Sequence, residues 1–110
     1  MANIIIKQVA TENRIKFFMG NTTLGRGLNS QVETARTLVD TSSYTQTWSG
    51  QLDLEGVDAA EEMFELTNDP SRRGERNTLC PGMRPVDVGD IVNVDGVDYV
   101  CLDMGWGVLA

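Results

Sequence analysis

Two β-branched runs, Ile91-Val92-Asn93-Val94 and Val97-Asp98-Tyr99-Val100, are separated only by Asp95-Gly96. Asp-Gly accepts the positive φ that a tight type I′ turn requires at both central positions, so a C-terminal β-hairpin is predicted here. This commits the last quarter of the chain to antiparallel strands, and the remaining elements must supply the rest of a sheet and its cover.

Asn3 to Val9 reads as a buried strand and Arg14 to Met19 as a second one. Thr11-Glu12-Asn13 offers turn chemistry for an N-terminal hairpin between them. Gly20 to Gly27 reads as loop. Ser30-Gln31-Val32-Glu33 has capping-box form, and Leu28, Val32, Ala35, Leu38 and Val39 recur at helical spacing, which predicts a short helix over 31–38. Tyr44 to Leu52 alternates and is rich in Thr and aromatics, as a strand would be. A second helix, capped by Asp58, is expected to run to Thr67, with Ala60, Met63, Phe64 and Thr67 inside and Glu61, Glu62 and Glu65 in water. Asn68-Asp69-Pro70 stops it. Residues 70–85, with Pro70, Gly74, Pro81, Gly82 and Pro85, read as one long loop, and Val108 and Leu109 are expected to tuck against the sheet. The expected fold is α+β over a single domain, residues 1–110. It has an antiparallel sheet of about four to five strands with two short helices packed on one face.

Composition narrows the chemistry. With 110 residues and 41% hydrophobic side chains the chain suits one compact domain. No apolar run approaches the roughly 20 residues that cross a bilayer, and no signal peptide is recognisable, so a cytoplasmic location in a host cell is expected. The chain contains no histidine. That removes the usual general base near neutral pH, the commonest zinc ligand and every Ser-His-Asp or Cys-His arrangement within the chain. Cys80 and Cys101 read as reduced thiols, and Cys101 as packing within a strand. Cys80 sits near Arg76 and Arg84, which would lower its pKa. No catalytic residue, metal ligand or cofactor is assigned.

The net charge of −7 is unevenly distributed. Asp53, Glu55, Asp58, Glu61, Glu62, Glu65 and Asp69 fall between residues 51 and 70 with no base among them. Arg72, Arg73, Arg76 and Arg84 follow against Glu75 alone. A concentrated negative face repels nucleic acid and favours basic protein partners.

The order of several short motifs adds a relationship. Phe17-Phe18-Met19-Gly20, Val39-Asp40, Tyr44, Trp48-Ser49-Gly50-Gln51-Leu52, the amphipathic Ala60 to Asn68 stretch, Arg84 to Val92 and Tyr99 to Trp106 together resemble the YodL-like domain family of phages, plasmids and conjugative elements. The most specific pieces are Val88-Gly89-Asp90-Ile91-Val92 and the Tyr99…Asp103-Met104-Gly105-Trp106 ending. Pro85-Val86-Asp87 departs from the serine-containing approach to Val-Gly-Asp that family members often show. The resemblance implies an accessory module of a mobile element, with a host-takeover or counter-defence role, and it carries over no catalytic residue.

Two clusters are candidate partner-binding sites. Asp58, Glu61, Glu62 and Glu65 form an acidic face that could occupy the nucleic-acid groove of a basic protein, or could be a solvated helix face favoured at its start by the helix dipole. Arg72, Arg73 and Arg76 could grip a phosphate or an acidic partner, or could pair with neighbouring carboxylates. Trp48 and Trp106 are expected in the core rather than in an interface. The reading is a non-enzymatic phage or mobile-element protein that inhibits a host or defence complex by covering its basic surface. It is not expected to bind nucleic acid or membrane itself. The alternative is a structural or assembly module of a virion or multidomain mobile-element protein. The oligomeric state is left open.

Overall fold

The computed structural model describes residues 1–10, 12–13, 27–40, 42–102 and 105–109. The expected strand Arg14 to Met19, its hairpin with Asn3 to Val9 and most of the loop Gly20 to Gly27 lie outside the described residues. Among the described residues the chain is α+β: β1 (Ala2–Val9), α1 (Gly27–Asp40), β2 (Tyr44–Leu52), α2 (Gly56–Asn68), a 3₁₀ turn (Pro70–Arg72), α3 (Arg73–Leu79), β3 (Ile91–Val94), β4 (Val97–Cys101) and β5 (Trp106–Leu109). The five strands form one antiparallel sheet in the order β2-β1-β3-β4-β5.

The Asp-Gly turn forms as its chemistry requires. Asp95 and Gly96 take φ of 50° and 91°, and Val94 pairs with Val97. The turn is also tied to the first strand, because the Asn3 amide donates to the Asp95 carboxylate at 2.8 Å and the Asp95 amide to the Asn3 carbonyl at 2.9 Å. Val108 and Leu109 do more than tuck in: they pair with Tyr99 and Asp98 as part of the edge strand β5.

The sheet is covered on both sides, which corrects the expectation that the helices share one face. Register sets Ile4 opposite Val94, Ile6 opposite Val92 and Cys101 opposite Trp106 on one face. There they join Ala59, Ala60, Met63 and Leu66 of α2. The intervening residues Val9, Ile91, Val100 and Leu109 point to the other face and pack with Val32, Ala35 and Leu38 of α1. The α1 contact is close at Gly107, where a Cβ would stand 2.7 Å from the Val32 side chain and 3.2 Å from that of Leu102. Gly107→Val should therefore destabilise the fold by about 1–3 kcal/mol through overpacking. Adding Val32→Ala should recover part of that loss in urea unfolding, whereas strictly additive effects would place the strain elsewhere.

Three local expectations need correction. The first helix begins at Gly27, so Ser30 lies inside it and does not cap it. The N-cap of α2 is Glu55, with no side-chain cap bond, and Asp58 sits within the first turn, where the helix dipole still favours an acid. Residues 70–85 are not one loop, because Pro70–Leu79 is helical. Asp69 starts that segment by accepting from the Ser71 amide at 2.9 Å, with Pro70 at a helix-compatible first position. The Ser71 hydroxyl, which donates to the same carboxylate at 2.8 Å, and then the Ser71 amide hold the Asp69 carboxyl below its ordinary pKa.

Candidate functional site

The acidic face is built by the amphipathic pattern of α2. Ala59, Ala60, Met63, Leu66 and Thr67 are buried, which turns positions 58, 61, 62 and 65 outward on one stripe. The two small alanines let the helix sit close to the sheet and hold the stripe on a firm support. Asp58, Glu61 and Glu65 are exposed, and Leu54 and Val57 are exposed beside them.

The four carboxylates differ in their surroundings. Glu61 accepts the indole N–H of Trp106 at 2.6 Å, and Trp106 in turn meets Phe64 edge-on with ring centroids 6.4 Å apart. Glu62 receives two N–H bonds from Arg72, at 2.7 and 2.8 Å. Arg72 also bridges to Glu75 at 2.8 Å. The bonds from Arg72 hold both the Glu62 and the Glu75 carboxyls below their usual pKa, overcoming a smaller effect of burial. The side chains of Asp58 and Glu65 make no ion pair with any described residue. Charge is thus neutralised at the Glu62 edge of the stripe and open at Asp58, Glu61 and Glu65.

The arginine cluster does not come together as one grip. Arg72 is held by Glu62 and Glu75. Arg76 turns to the backbone and donates to the Thr67 carbonyl at 3.0 Å and the Met83 carbonyl at 2.5 Å, joining the end of α2 to the segment that follows α3. Arg73 is exposed and makes no ion pair with any described residue. Trp48 and Trp106 are half-buried against the core rather than within it, and the Trp48 indole donates to the Leu79 carbonyl at 3.1 Å. Cys80 and Cys101 are buried free thiols. Burial raises the Cys80 pKa and outweighs the opposite pull of Arg76, contrary to the expected lowering. A thiolate nucleophile is disfavoured there.

A buried polar knot at one end of the sheet escapes any reading of local sequence. Asp90 is fully buried. Its carboxylate accepts from the Val9 amide at 3.1 Å, the Asp87 amide at 2.9 Å and the Gln8 side-chain amide at 3.2 Å, and Arg84 lies 3.5 Å away. Arg84 also donates to the Val9 carbonyl. Tyr44 closes the knot from β2, its hydroxyl donating to the Gly89 carbonyl at 2.6 Å. The Val88-Gly89-Asp90 step is therefore a joint between β1, β2 and β3. The signal that could have pointed to it is Gln8, a polar residue at an inward position of an apolar strand.

No group of three or more His, Cys, Asp or Glu side chains among the described residues is placed to hold a metal ion. Among the same residues no helix is long and apolar enough to cross a membrane. No family model, curated protein or solved structure matches the chain.

Proposed function

We propose that this chain is a non-enzymatic accessory protein of a phage or mobile element. In this reading it is a small acidic inhibitor that binds a nucleic-acid-handling host or defence complex in the manner of anti-CRISPR or anti-restriction proteins. The observation that carries the reading is the open stripe of Asp58, Glu61 and Glu65 on a helix anchored by its buried face. From Asp58 to Glu65 the stripe runs about 10 Å along the helix axis. Over that distance it offers carboxylates at intervals of the same order as the phosphates along a nucleic-acid strand. The exposed Leu54 and Val57 beside it add the apolar contact that a protein interface needs and a purely solvated face does not. The partner is a protein with a basic groove, and inhibition follows from occupying that groove.

The test is capture of host or defence complexes by the immobilised protein, followed by affinity measurement with the purified partner. Glu61→Lys with Glu65→Lys should weaken binding by at least about tenfold at low salt, and raised salt should weaken the unmodified protein in the same direction. Undiminished inhibition by the charge-reversed protein would defeat this reading.

A further inference from the structure

On the α2 side of the sheet, away from the acidic stripe, a groove of about 460 Å³ runs between β2 and the Cys80–Arg84 segment. Its size falls within the range of ligand sites. Trp48, Cys80 and Met83 give it apolar walls, and Gln8, Thr47 and Arg84 give it polar ones. Gln8 is only 3% exposed. Its side-chain nitrogen donates to the Arg84 carbonyl, the Pro85 carbonyl and the Asp90 carboxylate, each at 3.2 Å. Three acceptors around one end of the amide fix its orientation, so the oxygen is the other end. That oxygen accepts from no described residue, which is unusual for a buried carbonyl.

Arg84 supplies the complementary half. Both of its contacts, with Val9 and with Asp90, use the same terminal nitrogen. The N–H groups of its other two nitrogens donate to no described residue, and its side chain is 40% exposed. An acceptor without a donor and donors without acceptors in one groove match the N–H and C=O of a peptide unit. They do not single out an anion, because Asp90 already offsets the charge of Arg84.

The adjoining strand favours the same occupant. From Thr45 to Leu52, β2 contains no charged residue and no proline, the residues that commonly block strand addition at a sheet edge. β2 is the terminal strand of the sheet among the described residues. Its register with β1 slips between Ile6 and Lys7, leaving Thr47 as a bulge on the wall of the groove.

We propose that the groove and the β2 edge bind an extended peptide segment of a partner protein. One of its amides donates to Gln8 while a carbonyl accepts from Arg84, and an apolar side chain rests against Trp48 and Met83. This surface is distinct from the acidic stripe, and the inference stands whatever α2 binds.

The experiment is selection from a displayed library of random peptides about 12 residues long, enough to cover β2. Titration of a synthesised, enriched peptide into the ¹⁵N-labelled protein then locates the site. Amide shifts should concentrate on residues 45–48, on 80–84 and on the Gln8 side chain. Thr47→Arg, at an exposed position, should lower affinity about tenfold or more with circular dichroism unchanged. Glu61→Lys with Glu65→Lys should leave peptide binding intact, which separates failure of this proposal from failure of the acidic-inhibitor reading. An absence of enriched peptides, shifts that map elsewhere, or Thr47→Arg binding like the parent protein would overturn it. So would a dimer in sedimentation whose β2 edges are covered by each other.

Discussion

Asp90→Ala is expected to remove about 3–5 kcal/mol of folding stability, the range for breaking one side of a buried charged pair. The carboxylate it deletes is fully buried and accepts, among the described residues, from the Val9 amide, the Asp87 amide and the Gln8 side chain. Each would be left facing a void, and unmade buried hydrogen bonds are costlier than made ones are favourable. Arg84 would lose its partner too, although its partial exposure lets water take up some of that charge. Asp90→Asn keeps an oxygen but puts an N–H₂ group among donors, so an intermediate loss of about 1–3 kcal/mol is expected. Urea unfolding with an unchanged denaturant slope would measure both. A loss under about 1 kcal/mol for the alanine variant would show that the knot contributes little beyond its shape.

This knot also marks where the sequence stops being legible. The β3–β4 hairpin, β1, β2 and α2 follow from local signals: Asp95-Gly96, the apolar run after Asn3, the Thr-rich alternation of 44–52 and the apolar stripe of 60–67. The two-sided cover of the sheet also has a signal. Ile91-Val92 and Val100-Cys101 are adjacent buried pairs, and neighbours in a strand point to opposite faces, so both faces need a layer. α3 was obscured because Gly74 and Asn77 are poor helix formers between prolines. The Asp69-Pro70-Ser71 start was nevertheless there to be read. The roles of Arg72, Arg76 and Asp90 were not readable locally. Glu62 precedes Arg72 by ten residues, and Gln8 lies 82 residues from Asp90. Whether a carboxylate is a surface acid or a buried acceptor depends on donors that arrive only when the sheet assembles.

Met63→Ala, on the inner side of α2, is expected to lose far more stability than Val57→Ala on its outer side. Met63 is fully buried in the cluster formed by Ile4, Ile6, Val92 and Val94 of the sheet with Ala59, Ala60 and Leu66 of α2. Its truncation should cost about 2–5 kcal/mol from lost burial and the cavity left behind. The upper part of that range is favoured because the site has little freedom to collapse. α2 is held at its far end by Thr67, whose hydroxyl donates to the Met63 carbonyl at 2.8 Å and accepts from the Val86 amide at 3.0 Å. Arg76 pins the same end through the Thr67 carbonyl. Val57→Ala, on the exposed side of the same helix, should change stability by less than about 0.5 kcal/mol. Urea unfolding of the two variants decides the matter. A small loss for Met63→Ala would mean that α2 can settle into the cavity, and its outer carboxylates would then stand on a yielding support rather than a fixed one.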